Sequence, residues 1–569
     1  MTNHNSNDGI NFIIAIALSA AILFGWQFFF RSNKTTSSAI VVNTAQDVDN
    51  NGLLVDIRPT SEEVRHKVTN IPKIRINSPV VAGSISLQGA RFDDLMLLDY
   101  KESLSSDERV TLLAPISTGS TYFGQFGWSC ADKTMEMPNN DTVWTADSDE
   151  LTPAHGVNLT WRNQRGIEFV INVALDDQYM FTITQQMTNT TPQPITTRIY
   201  GLINRIYSTT KNDNNNSSIS HQGAIGVIDG SLEEYTVEKL KSDGTKKFDQ
   251  KITEWVGISD KYWLVSIIPD KTLLSEGAFQ YTTHRDNNTT DILDKVQVNF
   301  LSTPLTVGSN HTLVAKNMFF AGAKKVQLLD NYCTKFNIKL FDRAIDFGWL
   351  YIITKPLFYI LMFFHDLVGN FGLSIIIVTV IIKTLTFKLT QNSQKSMSKM
   401  KNLQPQITNL KTQYGSDKVK FNEKLLALYK TEKINPFSGF LGILIQIPVF
   451  FAIYKVLYVT IEMRQAPFYG WIHDLSAPDP TNIFTLFGLL NISLPNFLHL
   501  GLWPIIMSIS MYAQQQLSPQ QSMDPSQAQV MKFLPLIFLF MFAGFPAGLL
   551  IYWTWSNFLS IAQQYLFKK

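Results

Sequence analysis

Lys383 lies inside the otherwise apolar run FGLSIIIVTVIIKTLTFKL, which spans residues 371–389. An unpaired ammonium in hydrocarbon costs from ~2.5 to more than 10 kcal/mol, depending on how well water reaches it. None of the five apolar segments of the C-terminal region contains Asp or Glu, so no counter-ion is available within them. Lys383 must therefore face water, a lipid headgroup or a transient acidic partner. Two readings stay open on spacing alone. The lysine snorkels toward Leu389, where the run ends, or it marks a functional polar cavity. Lys455 and Lys388 sit near run ends and read as snorkelling residues. Thr379, one turn before Lys383, shares its helical face. Gln446, in the middle of the stretch 442–448 (GILIQIP), and the pair Ser556-Asn557 could line the same cavity. Each could instead make an interhelical hydrogen bond that only holds a bundle together.

Other chemistries find little support. There is no GxxxxGK[ST] loop for a nucleotide, no HExxH pair for a metal and no GxSxG elbow. The apolar segments lack the acidic relay of an ion-coupled pump, and no inverted repeat of broken helices is visible. Two cysteines, Cys130 and Cys333, exclude a disulfide framework and the usual cysteine-based zinc site; unpaired core cysteines are the expected state. A net charge of +2 excludes a dedicated nucleic-acid polycation. No enzyme, cofactor or metal is expected.

The elements that must hold Lys383 follow from hydropathy. Of 569 residues 45% are hydrophobic and only 17% charged, an average over a polar part and a lipid-embedded part. Residues 10–30 are uncharged and long enough to cross ~30 Å of hydrocarbon. They end in Phe28-Phe29-Phe30 with no basic residue before them, so an uncleaved anchor is expected rather than a signal peptide. Short alternating runs follow, among them residues 84–87 (SISL), 157–161 (VNLTW), 169–173 (FVINV) and 262–265 (YWLV). With Gly, Asn and Asp between them they predict an all-β sandwich. The stretch 211–218 (KNDNNNSS) reads as a surface loop.

The expected order is a terminal segment 1–9, an anchor 10–30, a linker 31–54 and a β domain 55–340. An interfacial helix 341–369 and spans 370–389, 436–460, 499–516, 531–546 and 547–567 complete it. A hairpin 390–435, an outer loop 461–498 and a loop 517–530 join the spans. From Lys388 to Lys433 ten lysines face three acids, which places that loop in the cytoplasm. Counting back from it, both termini are cytoplasmic and the β domain is external, periplasmic in a bacterial inner membrane. Within the basic loop Met397, Met400, Leu403, Ile407 and Leu410 line one helix face, Pro405 should bend or end the first segment, and Gly415 to Asp417 should stop one helix and cap the next. This hairpin is expected to touch anionic lipid or a protein partner.

The residues also resemble a known family along almost the whole chain. In the β domain the resemblance is carried by 83–100 (GSISLQGARFDDLMLLDY), 174–189 (ALDDQYMFTITQQMTN), 223–240 (GAIGVIDGSLEEYTVEKL) and 256–269 (VGISDKYWLVSIIP). In the membrane region it is carried by 371–383, 396–405 (SMSKMKNLQP), 434–454 (INPFSGFLGILIQIPVFFAIY), 463–480 (MRQAPFYGWIHDLSAPDP) and 545–564 (FPAGLLIYWTWSNFLSIAQQ). They are similar to the YidC/Oxa/Alb membrane protein insertases of the Gram-negative YidC form. The resemblance implies a polytopic α-helical membrane protein, an anchor plus a five-helix core, with a large external β supersandwich. It implies a hydrophilic groove open to the cytoplasm and lipid, with Lys383 in the place of a basic residue that is usually Arg. Lys keeps the charge but lacks the guanidinium fork. Lys388 stands where several relatives carry Pro. Thr379 matches a sensitive groove position, and Tyr552-Trp553 matches two aromatics. Leu441, Leu444, Ile447, Pro448, Met541 and Tyr552 align with an apolar track for a substrate helix. The implied partners are nascent membrane proteins, the ribosome at the hairpin and C-terminus, Sec translocon components and anionic lipids, without nucleotide.

Overall fold

A computed structural model describes residues 71–115, 121–132, 134–207, 220–285, 292–415, 417–432, 441–486, 490, 499–517 and 525–568. The expected anchor 10–30, the linker 31–54 and the loop 211–218 lie outside them. The chain divides at Asp346 and Phe347 into a sheet unit and a helical unit.

In the sheet unit, alternation of apolar and polar side chains lets each strand bury one face. Glu168–Leu175 does so residue by residue and pairs antiparallel with Met180–Asn189, Phe181 opposite Leu175. These strands belong to a nine-stranded sheet whose centre continues through His311–Ala323, Trp263–Ile268 and Thr253–Ser259. An eleven-stranded sheet runs through Ser275–Arg285, Ile292–Ser302, Ile195–Tyr207, Tyr122–Ser129, Arg91–Lys101, Val81–Ser86 and Lys73–Asn77. Core rings fill the space between them. Phe92 lies 5.5 Å from Phe181 and 5.1 Å from Phe319, ring centre to ring centre. Gly124 makes room for this packing, since a Cβ there would stand 2.7 Å from the Phe319 ring. Two helices, α1 (Val237–Asp243) and α2 (Val326–Lys335), complete the unit. The expected strands are present. Both cysteines are free, but they are half-buried rather than in the core. The Cys130 thiol donates to the Thr196 carbonyl, and the Asp342 N–H donates to Cys333 Sγ.

The helical unit begins with α3 (Tyr351–Val368). Gly369, at φ 69°, ends it by donating its N–H to the His365 carbonyl, and the Asn370 side chain then caps α4 (Phe371–Leu385). At Thr386 the chain turns by 60° into α5 (Phe387–Asn402). The Thr386 N–H and hydroxyl both donate to the Ile382 carbonyl, at 2.9 and 2.8 Å. The helix expected over 370–389 is thus divided at Thr386.

Next come α6 (Gln404–Tyr414), with Pro405 in its first turn, and α7 (Lys418–Thr431), capped by Asp417. Proline lacks an N–H, which costs nothing at a helix start. Met400 and Leu403 are buried and pack with Ile407, Leu428 and Tyr429, which closes the hairpin on its apolar side. The remaining helices are α8 (Leu441–Val459), α9 (Leu502–Leu517), α10 (Pro525–Phe542) and α11 (Ala547–Lys568). Helix α11 packs against α4 and α9, α3 against α4, and α9 against α10.

Among the described residues α3 is the helix that by itself is long and apolar enough to cross a membrane. The bent pair α4–α5 qualifies together, while Gln446–Val459 and Lys532–Phe542 are shorter apolar stretches.

Candidate functional site

Three helices place polar groups around one cation. The Lys383 ammonium, on the last turn of α4, donates to Ser560 Oγ of α11 at 3.0 Å and to Gln446 Oε1 of α8 at 3.4 Å. An ammonium can only donate, so it dictates which end of the Gln446 amide faces it. The amide nitrogen of Gln446 then points the other way and donates to the Tyr552 phenol oxygen at 2.5 Å. Ser560 in turn donates to the Ser556 carbonyl at 2.9 Å, and the Gln563 amide donates to the Lys383 carbonyl at 3.2 Å. The lysine is half-buried, and among the described residues its hydrogen-bond partners are neutral. Among the described residues no cluster of His, Cys, Asp and Glu suited to a metal is present.

The polar partners descend from one periodicity. Tyr552, Ser556 and Ser560 recur at steps of four on α11, and Gln563 follows three later, so they share a face. That spacing is the signal in the sequence that marks Ser560 and Gln563 as members of the stripe, although neither stands in an otherwise apolar run.

The other candidate residues separate. Thr379 is buried at 1% exposure, and its hydroxyl is used by its own helix, donating to the Ile375 carbonyl at 2.6 Å. Asn557 is buried on another face of α11 and donates to Ser510 Oγ of α9 at 2.9 Å, an interhelical bond away from the lysine. Ser556 is buried within the stripe, and its carbonyl joins the network.

Of the apolar residues, Ile447 and Met541 are exposed, Pro448 is half-buried and the side chains of Leu441 and Leu444 lie outside the described atoms. Tyr552 is buried with its hydroxyl in the polar network. Trp553, its neighbour, turns into an aromatic cluster, 4.9 Å from both Phe450 and Phe542. The two adjacent aromatics therefore serve different faces of α11.

At the end of the bundle formed by the 461–482 segment, a buried carboxylate closes the structure. Asp479 is 1% exposed and accepts from the Trp471 indole at 3.1 Å, the Thr481 N–H at 2.9 Å and the Trp503 N–H at 2.8 Å. The Ala547 and Gly548 amides donate to the Ala477 and Leu475 carbonyls.

A family model described as YidC periplasmic domain matches residues 73–360, and one described as 60Kd inner membrane protein matches residues 363–569. The membrane protein insertase YidC of Rickettsia bellii (strain OSU 85-389) is 49% identical over 568 residues, which covers 99% of each chain. The chain belongs to the YidC family of membrane protein insertases. The Rickettsia felis member is likewise 49% identical, over 567 residues, covering 99% of this chain and all of that one. A solved structure titled as an active YidC insertase covers 86% of this chain and 92% of its own, at 16% identity and a TM-score of 0.35. The insertase thus carries a mostly sheet periplasmic domain ahead of a helical inner-membrane region. Insertion is a transfer between environments rather than a covalent reaction, so it requires no nucleophile or general base.

Proposed function

We propose that this insertase receives nascent membrane proteins at the polar cluster of α4, α8 and α11. The polar or acidic flank of a nascent segment enters the cluster, where the Lys383 ammonium offsets part of the flank's desolvation cost. The apolar segment leaves into lipid past Ile447, Pro448 and Met541, with Leu441 and Leu444 on the same helix as the first two. Its burial in hydrocarbon supplies the driving force, without nucleotide. The observation that carries this reading is the neutrality of the lysine's partners. An anion would make a stronger, charge-assisted bond than Gln446 or Ser560 can.

The remaining assignments belong to the same proposal. The lysine-rich α5–α7 hairpin faces the cytoplasm with both termini, and meets the ribosome and anionic lipid. Helix α3 lies in the outer interface, its apolar run interrupted by Lys355 near the start and His365-Asp366 near the end. The periplasmic domain docks to Sec translocon components.

The test is insertion of a small single-span substrate into vesicles carrying the full chain or its Lys383→Ala, Lys383→Glu and Lys383→Arg variants. Ala and Glu are expected to lose most insertion and Arg to keep it. Wild-type insertion by the Glu variant would remove the electrostatic part of the mechanism.

A further inference from the structure

Lys383 sits where its own helix gives out. Leu385 ends α4, the chain turns by 60° at Thr386, and a long stem at such a terminus could reach outward along the helix axis toward the interface. The structure holds it otherwise, and from both ends of the residue. Ser560 Oγ accepts from the ammonium at 3.0 Å, and the Gln563 amide donates to the Lys383 carbonyl at 3.2 Å. Ser560 and Gln563 are three apart on α11, and both are buried, at 5% and 8% exposure. One face of one helix therefore grips the backbone and the side-chain tip of the same lysine.

We propose that Ser560 and Gln563 are positioning residues of the insertase, a two-point clamp that keeps the Lys383 ammonium turned into the bundle beside Gln446. This inference rests on the groove reading of Lys383 above. Gln563 fixes the last turn of α4 against α11, so the bend at Thr386 cannot swing the lysine out. Ser560 supplies a neutral resting acceptor whose hydroxyl hydrogen is already committed to the Ser556 carbonyl, so it presents a lone pair to the ammonium. A substrate carboxylate then exchanges with a weaker partner instead of breaking an ion pair. The two side chains act through Lys383 and need not touch the substrate.

The experiment uses the full chain in vesicles and two single-span substrates, one with an acidic flank and one with that flank made neutral. Ser560→Ala should lower insertion of the acidic-flank substrate roughly ten-fold, the scale of one lost hydrogen bond to a charged group, and Gln563→Met should lower it roughly three- to ten-fold, the scale of a lost neutral bond. The neutral-flank substrate should be unaffected, and Ser560→Thr, which keeps the hydroxyl, should restore insertion. In a Lys383→Ala background neither substitution should add a further loss, because nothing remains to position. Equal losses on both substrates, or losses that add to that of Lys383→Ala, would overturn the clamp in favour of a merely structural role. Wild-type insertion by both single variants while Lys383→Ala fails would overturn it too, and would leave the groove reading standing. Wild-type insertion by Lys383→Ala on the acidic-flank substrate would instead sink the groove reading itself, and the clamp with it.

Discussion

The side-chain amide of Gln446 on α8 donates to the phenol oxygen of Tyr552 on α11 at 2.5 Å, while its oxygen accepts from Lys383 on α4. One neutral side chain thereby ties three helices together beside Lys383. Tyr552→Phe removes the acceptor and leaves a polar N–H facing a buried ring. The cost should be about 1–3 kcal/mol of stability, read as a lower thermal midpoint of the full chain in detergent. An unchanged midpoint would mean that the amide finds another partner and that the bond is not a tie.

Gly372 in the first turn of α4 is a packing requirement. A Cβ at this position would overlap the Phe468 ring at Cδ2. Gly372→Ala should therefore destabilise the helical unit by about 1–3 kcal/mol, the usual scale of overpacking. The double substitution with Phe468→Leu should recover much of that loss. If Gly372→Ala melts with the wild type, the close approach of Phe468 to α4 is wrong.

Asp479 organises the loop that precedes α9. Its two oxygens satisfy an indole N–H and the backbone amides of Thr481 and Trp503. Asp479→Ala strands these donors in a buried place, at an expected cost of about 2 kcal/mol or more. Asp479→Asn should cost less, because it retains one acceptor. Protease cleavage within 463–480, compared across the three proteins, reads the local opening directly. Equal cleavage rates would argue against the cap.

The sheet unit contains two groups with opposite acid responses. His221 donates from Nε2 to the Ala224 carbonyl at 3.0 Å. Burial, reinforced by the Lys324 charge, outweighs that bond and the nearby Asp346 and pushes its pKa down from 6.5 to about 4. Between those values the unfolded chain binds more protons than the folded one. Stability is thus complete above about pH 6.5 and is lost as the pH falls toward about 4. Asp93 is the reverse: burial lifts it from 3.8 to about 6 against the pull of Lys73 and Arg91. Here the folded form binds more protons, and stability grows as the pH falls through that window. His221→Gln should flatten the acid decline of the sheet unit's thermal midpoint, and Asp93→Asn should steepen it. Parallel melting curves from about pH 7 to about pH 4 for all three proteins would contradict both assignments.

The sequence alone settled what depends on local pattern. Alternation along 169–173 predicts a strand, the lysine-rich loop predicts a helical hairpin with a break at Pro405 and a cap at Asp417, and motifs along the chain point to the family. Each is encoded in neighbours a few residues apart, which is why composition, spacing and turn chemistry suffice. The bend at Thr386 has no such local signature, because a threonine that turns its hydroxyl onto its own helix looks like any other in an apolar run.

What only the tertiary structure decided is which polar residues meet. Thr379, Gln446, Ser556 and Asn557 are all candidates by sequence for Lys383's surroundings, yet of these four Gln446 alone bonds its ammonium. Thr379 is absorbed by its own helix, and Asn557 belongs to the contact with α9. The missing partners, Ser560 and Gln563, lie almost two hundred positions away in the chain. Tyr552 and Trp553, adjacent in sequence, part into a polar network and an aromatic cluster. The reason is geometric. Helix periodicity fixes which residues share a face, but the rotation of each helix about its axis is set by packing against its neighbours, and that rotation decides what faces the lysine.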